Sequence, residues 1–224
     1  MTYTLIRSKR KTAAIYVRDG GFEVRAPLKM PKHDIDRFVK SKEKWINNKL
    51  AMLQERAQSR EAFALAYGDM VHYRGKEYPI TAKDGTHIGF DDAAFYMPPD
   101  MLPERIKLAC IQIYRLLARR DLTIKTHEFA KQMNLMPSGV KINNAKTRWG
   151  SCSAKSSINF SWRLIMADDD VIDYVVVHEL AHLAELNHSE SFWKIVEGIL
   201  PDYTERKARL RELQNRLVNE NWDE

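Results

Sequence analysis

The sequence has few cysteines and no long apolar run. Cys110 and Cys152 are the two cysteines among 224 residues, and two thiols are too few for the disulfide framework of a small secreted protein. The apolar run around Val175 is far shorter than the roughly 18 residues that indicate a membrane-spanning helix. No apolar stretch follows the early charges, as it does in a secretory signal. We therefore expect a cytoplasmic protein without membrane contact.

Motifs for binding phosphate or reading nucleic-acid bases are also missing. The chain has no glycine-rich loop of the G-x-x-x-x-G-K type and no acidic cluster of the kind that holds Mg²⁺. It shows no helix-turn-helix or zinc-finger pattern. These absences argue against P-loop nucleotide enzymes and against sequence-specific DNA readers.

Positive charge is concentrated in the first part of the chain. The formal net charge is +6 at pH 7, yet residues 1–60 alone carry 15 Lys or Arg against 6 Asp or Glu. That segment has a net charge of +9, and the rest of the chain has one of −3. A polyanion such as nucleic acid would meet this segment first. A solvated basic face explains the same charges, so the sequence leaves nucleic-acid binding open.

The N-terminal part favours strands with one long helix. Alternating residues over 12–26 predict a β-hairpin whose turn includes Asp19. Helical spacing from about residue 32 to residue 58 predicts one amphipathic helix. Strand character returns over 69–97, and two prolines then interrupt the pattern.

The remaining residues predict a second group of helices and strands. Helical patterns cover about 103–134 and 171–186, strand patterns cover 140–142 and 158–162, and two further helices follow. We therefore divide the chain into a basic N-terminal α+β domain at 1–98 and a second domain at 99–224.

The strongest chemical signal is an H-E-x-x-H pattern near residue 180. His178 and His182 are four residues apart, so on a helix they point to the same side and can share one metal ion. Glu179 then lies where it can act as general base toward a water activated by the metal. Apolar residues surround the pattern, as a buried helix requires. A core helix whose histidines are only hydrogen-bonded would fit the same pattern.

A third ligand has two candidates. His188 lies six residues after His182, too far for one face of an unbroken helix, and Asn187 offers a break because it tolerates the left-handed conformation. Glu185 lies three residues after His182, on the same helix face, and its carboxylate could serve instead. The histidine spacing equals that of metzincins, but Glu185 replaces their glycine and no Met-turn stands out. The residues alone leave the choice open.

Several segments resemble one known family. They are Arg148–Cys152, Ile158–Leu164, Asp173–His182 and Asn187–Trp193, with Val24–Pro27 and Trp45-Ile46 nearer the N-terminus. Their order and composition resemble those of the YgjP-like metal-dependent hydrolases, which are zincins similar to the SprT-like zinc metallopeptidases. The resemblance spans most of the chain and is densest over residues 140–203.

The resemblance implies an α+β fold in two parts. A zincin-like catalytic domain, with a small antiparallel sheet and the H-E-x-x-H helix, would follow a small β-rich domain with one long helix. One Zn²⁺ per chain is implied, with His178, His182 and His188 as ligands and Glu179 as catalytic base. The segment that begins at His188 is similar to the block that supplies the third histidine in SprT-like proteases, so the resemblance favours His188 over Glu185.

These expectations combine into a zinc-dependent metallopeptidase that acts on a peptide or protein. Three imidazoles suit zinc, although other divalent transition metals fit the same donors. A sheet edge beside the metal helix could hold an extended peptide as an extra strand. The candidate substrate-binding residues are Arg148, Trp149, Asn159 and Tyr174. Two alternatives stay open: a metal-dependent hydrolase of nucleotides or other phosphoanhydrides, and a SprT-like protease that acts on proteins held at nucleic acid.

Overall fold

The computed structural model describes residues 2–18 and 20–223, so Asp19 of the predicted turn lies outside the described residues. A 3-10 helix spans Trp162–Met166. The helices are α1 (Lys32–Ser41), α2 (Glu43–Ala62), α3 (Pro103–Gln132), α4 (Asp169–Ala181), α5 (Glu190–Ile199) and α6 (Tyr203–Leu217). The strands are β1 (Thr4–Ser8), β2 (Ala14–Arg18), β3 (Gly21–Pro27), β4 (Met70–Tyr73), β5 (Lys76–Ala82), β6 (Gly89–Phe90), β7 (Phe95–Met97), β8 (Gly139–Asn143), β9 (Gly150–Cys152) and β10 (Ser157–Ser161).

The described chain divides into two compact units. The first unit comprises the residues up to Phe63 together with Val218–Asn221, and the second comprises Ala64–Leu217 with the residues from Trp222 onward. The sequence placed the division at residue 98 instead. The difference concerns strands β4 to β7, which lie in the second unit.

The first unit is a three-stranded sheet with two helices packed on it. The strand order is β1-β3-β2, in which β3 runs parallel to β1 and antiparallel to β2. The predicted hairpin over residues 12–26 is therefore confirmed. Alternate side chains of β3 point into the core, as the two-residue period of a strand requires. The buried core residues are Phe22, Val24, Ala26, Ile35, Val39 and Ile46.

The long helix predicted over residues 32–58 is two helices, α1 and α2. The break is at Lys42, whose φ of −109° and ψ of 8° are not helical. Ile35 and Val39 on α1 and Ile46 on α2 are all buried in the same core. A helical break changes the direction of the chain while the apolar spacing continues, so periodicity alone could not reveal it.

Strands β4 to β7 form a four-stranded sheet in the order β4-β5-β7-β6. Phe95 on β7 packs against Tyr114 on α3, with 5.0 Å between the ring centroids. The Tyr114 hydroxyl donates a hydrogen bond of 2.7 Å to the backbone oxygen of His72 on β4. Through these contacts with α3 the sheet belongs to the second unit.

Strands β8, β9 and β10 form the sheet beside helix α4. In the order β8-β10-β9, β10 runs parallel to β8 and antiparallel to β9. The sheet is therefore mixed, whereas the resemblance implied an antiparallel one. Strand β9 forms one edge and packs against α4. Small sheets and separate helices confirm the predicted α+β class, with the H-E-x-x-H segment on a helix beside the sheet.

Helix α4 is the central element of the second unit. It packs against α3, α5, α6 and β9, and Val176, Val177 and Leu180 on it are fully buried. A helix with buried residues on several sides holds its polar side chains in fixed positions. Among the described helices, none combines the length and apolar character needed to cross a membrane.

Candidate metal centre

Helix α4 and the turn after it carry the first two histidines of the pattern. His178 lies on α4, and His182 is the residue that follows its last turn. Their ring centroids are 5.1 Å apart, as expected for residues four apart on one helix face. The fully buried Leu180 and Ala181 between them point inward and fix the orientation of this face.

Helix α4 ends at Ala181 and is followed by one further turn of the chain. The backbone N–H of Ala184 and that of Glu185 both donate to the carbonyl oxygen of Ala181, at 3.1 and 2.9 Å. The predicted helix over 171–186 therefore ends five residues early, and that boundary was wrong. The expected left-handed break at Asn187 was also wrong, because Asn187 is not among the described residues with positive φ.

The first turn of helix α5 contributes a phenylalanine that packs against the histidines. The Ser189 hydroxyl oxygen accepts a 3.2 Å hydrogen bond from the backbone N–H of Phe192, which caps the helix. The Phe192 ring is fully buried. Its centroid lies 4.9, 4.6 and 4.8 Å from those of His178, His182 and His188. The Phe192 ring thus packs against all three histidine rings and restricts their positions.

The three histidines form one cluster of possible ligand atoms. A nitrogen from each of His178, His182 and His188 lies within 4.8 Å of the others. The Nε2 atoms of His178 and His188 are 3.1 Å apart. The carboxylate of Glu185 is not part of this cluster; its backbone oxygen instead lies 3.1 Å from Nδ1 of His182. The structure therefore brings His188, and not the carboxylate of Glu185, to His178 and His182.

The surroundings of the rings fit a bound metal cation. Since a carbonyl oxygen can only accept, the Nδ1–H of His182 donates to the Glu185 oxygen, and Nε2 is the nitrogen available for a metal. Burial, then the neighbouring histidines and Lys207, lower the pKa of His178 to about 3. Burial, His182 and Lys207 also lower the pKa of His188. Imidazoles this close together direct several nitrogen atoms to one point, which is the donor set of a transition-metal site.

Glu179 is a buried carboxyl group next to the cluster. Its exposed fraction is 6%, although it is an acidic side chain. Burial raises the pKa of Glu179 to about 7, and the charge of Arg148 opposes this shift. The sequence predicted a base at this position, and the structure places its carboxyl group in a largely dry environment.

An aromatic wall, defined here as Tyr174, Trp193 and Tyr203, flanks the histidines. Trp193 stacks on His188 and on Tyr203, with centroid distances of 5.8 and 5.2 Å. Tyr174 contacts His178 edge-on at 5.8 Å. The Nζ atom of Lys207 lies over the Trp193 ring, 4.8 Å from its centroid. No sequence motif marked Tyr203 and Lys207, because they come from α6, beyond the metal-binding segment.

The four predicted substrate-binding residues lie in different environments. Arg148 is exposed, and its charge acts on Glu179. Trp149 is partly buried just before β9. Asn159 on β10 pairs with Ser151 across the sheet. Tyr174 is 4% exposed, and burial raises the pKa of its hydroxyl to about 12. Their substrate-binding roles stay predictions.

Comparisons with known proteins identify one family over most of the chain. A family model described as YgjP-like, metallopeptidase domain, matches residues 11–213. The crystal structure of the metallopeptidase zymogen abylysin of Pyrococcus abyssi is 22% identical, covers 44% of this chain and 97% of its own, and has a TM-score of 0.38. That of the zymogen jannalysin of Methanocaldococcus jannaschii is 19% identical, covers 44% and 94%, and has a TM-score of 0.35. No curated protein matches. Because the family model spans most of the sequence, the chain belongs to the YgjP-like metallopeptidase family and is a metal-dependent hydrolase.

Proposed function

We propose that this protein is a zinc-dependent peptidase whose metal is held by His178, His182 and His188. The observation that carries the proposal is the cluster of three imidazoles beside the buried carboxyl group of Glu179. Three neutral ligands leave the charge of the metal largely uncompensated. Bound zinc would supply Lewis acidity, which polarises a carbonyl group and acidifies water.

We assign the proton transfers to Glu179. Its carboxylate would accept a proton from the attacking water and then donate it to the leaving amine of the peptide. The β9 backbone and α4 surround this carboxyl group and limit its contact with solvent. Arg148 lies close enough to act on the charge of Glu179, which supports a role for Arg148 near the reacting carbonyl.

We place the substrate along the free edge of β9. This strand borders α4 and ends the β8-β10-β9 sheet, so an extended peptide could add to it by backbone hydrogen bonds. Trp149 directly precedes β9, and Asn159 on β10 pairs with Ser151 on β9. The Tyr174 ring contacts the ring of His178. Roles for these three residues in substrate binding belong to the same proposal.

The first experiment measures the metal. Purified protein should hold about one zinc ion per chain, and His182→Ala should lose it because two imidazoles bind zinc much more weakly than three. His127→Ala is the matched control, since His127 is exposed on α3 and lies outside the cluster. An unchanged zinc content in His182→Ala would remove His182 from the ligand set.

The second experiment identifies the reaction. Wild type and Glu179→Gln are assayed on a peptide library and, in parallel, on nucleotides. Glu179→Gln should keep its zinc and lose peptide cleavage by roughly a hundredfold or more, within the range assigned to general acid–base catalysis. If only phosphate release from nucleotides depends on Glu179, the peptidase proposal is wrong and the phosphoanhydride alternative replaces it.

Location and nucleic-acid binding stay predictions of the sequence. The low cysteine content favours a reducing compartment such as the cytoplasm. The positive charge of residues 1–60 favours a polyanion partner. A binding titration with DNA at rising salt tests the second point, because electrostatic binding weakens steeply as salt increases.

A further inference from the structure

Gly150 lies in direct contact with the side chain of Glu179. A Cβ atom at position 150 would be 2.5 Å from Cγ, 2.6 Å from Oε1 and 2.7 Å from Cδ of Glu179. All three distances are too short for non-bonded heavy atoms, which prefer about 3.5–4.0 Å. No residue larger than glycine fits at position 150 while Glu179 keeps its place.

Backbone conformation does not explain this glycine. Gly150 does not adopt the left-handed φ values found at Gly20, Gly68 and Gly75. It pairs with Phe160 in a regular antiparallel ladder, where any residue with a side chain could form the same backbone bonds. What position 150 requires is the missing Cβ, because the main chain approaches another side chain closely.

Both partners of this contact are held firmly. Pairing with β10 fixes the position of β9, and the backbone N–H of Ser161 donates a 2.8 Å hydrogen bond to the carbonyl oxygen of Trp149. Glu179 is 6% exposed on a helix packed on several sides, so its carboxyl group has little room to retreat. The main chain at Gly150 therefore forms one wall of the space that the carboxyl group occupies.

We propose that Gly150 is a positioning residue that sets the place of the Glu179 carboxyl group. This inference rests on the proposed function, in which Glu179 is the general base. A side chain at position 150 would displace the carboxyl group by the order of 1 Å, and a displacement of that size can cost roughly a hundredfold in rate. Metal binding should be spared, because the three atoms nearest to a Cβ at position 150 all belong to Glu179 and none belongs to a histidine.

The test compares Gly150→Ala with Gly139→Ala. Gly139 begins β8 in the same sheet, and a Cβ atom there would meet nothing within 4 Å. In Gly150→Ala, kcat for peptide cleavage should fall about ten- to a hundredfold, while KM and zinc content stay near those of wild type. Gly139→Ala should match wild type throughout. A wild-type kcat in Gly150→Ala would overturn the inference.

A double-mutant comparison separates positioning from simple destabilisation. If Gly150→Ala lowers the melting temperature, the same change in a Glu179→Ala background should lower it much less, since Cγ, Cδ and Oε1 are then absent. An equal loss in both backgrounds overturns the inference. Activity retained in Glu179→Gln would instead overturn the proposed function. An inactive Glu179→Gln beside a fully active Gly150→Ala would overturn only the role of Gly150.

Discussion

His178 and His188 face each other, yet their environments differ. His188 is exposed, whereas His178 is partly buried on α4. The difference follows from their positions: one histidine projects from a packed helix, and the other lies in the loop before α5. A ligand on a loop can move without disturbing the core, so we expect His188 to adjust its position more than His178 when the metal binds.

Lys207 provides a residue-scale prediction about metal affinity. Burial and the neighbouring histidines lower the pKa values of His178 and His188, and the charge of Lys207 adds to this effect. The same repulsion acts on a divalent ion. Lys207→Met should therefore bind zinc about two- to tenfold more tightly at low salt, and the gain should shrink as salt screens the charge. Competition with a coloured chelator measures the affinity.

The control for this prediction is Lys194→Met. Lys194 is 70% exposed on α5 and forms an ion pair with Glu190 at 2.7 Å, and its charge does not contribute to the histidine pKa shifts. Its replacement should leave zinc affinity unchanged. Equal affinities for Lys207→Met and wild type at low salt would contradict the argument.

At the scale of elements, the end of α4 decides whether the site forms. A continuous helix from His178 to His188 would separate them by about 15 Å along its axis, at 1.5 Å per residue. The turn after Ala181 brings His188 back so that its ring centroid lies 5.0 Å from that of His178. The apolar pattern continued past this turn and predicted a longer helix, because Leu183 and Leu186 match the helical period.

Ion pairs at the start of α4 connect it to two neighbouring elements. Asp169 accepts two hydrogen bonds from Arg74 in the β4–β5 turn, at 2.7 and 2.9 Å, and lies 3.2 Å from Lys125 on α3. Burial alone would raise the pKa of Asp169, but Arg74 and Lys125 outweigh it and hold the pKa below its usual 3.8. The nearby Asp173 is itself paired with Lys125.

The ion pairs of Asp169 predict how the free energy of unfolding changes with pH. Because the folded-state pKa of Asp169 is depressed, its stabilisation is complete above about pH 3.8 and is lost as pH falls through the folded-state value. Asp169→Asn should therefore lower the free energy of unfolding by about 1 kcal/mol or less at pH 7, since the pair is partly exposed. The difference from wild type should shrink below pH 3.8 in denaturant titrations.

Asp84→Asn is the control for the pH prediction, because Asp84 is exposed and no ion pair joins it to another described residue. Its unfolding free energy should follow that of wild type across the same range. A difference between Asp169→Asn and wild type that persists unchanged to pH 3 would show that the ion pairs are not its source.

At the scale of the whole molecule, the metal site and its support belong to one unit. Residues 64–217 contain the three histidines, Glu179, the β8-β10-β9 sheet and the β4-β5-β7-β6 sheet. The sequence assigned β4 to β7 to the N-terminal domain because proline residues at 98 and 99 looked like a boundary. Aromatic packing between Phe95 and Tyr114 places these strands in the core of the second unit instead.

Metal removal should destabilise this unit. A ligand that binds only the folded state stabilises it by about 2.7 kcal/mol at a hundredfold excess over Kd, which corresponds to a shift of roughly 5–10 °C in melting temperature for a unit of this size. Chelation should lower the melting temperature of wild type by that order and leave His182→Ala unaffected. Calorimetry with and without chelator measures both. An equal shift in the two proteins would mean that the chelator acts elsewhere.

The sequence by itself predicted the H-E-x-x-H segment as a metal-binding helix and the α+β class of the fold. His178, Glu179 and His182 follow from helical spacing, which is a local property, and the hairpin and most helices follow from equally local patterns. The tertiary structure decided the rest. It brought His188, and not the carboxylate of Glu185, to the other two histidines, divided the chain into compact units at residue 63 and brought Gly150 against Glu179, because each depends on how the chain turns and packs beyond a single helix or strand.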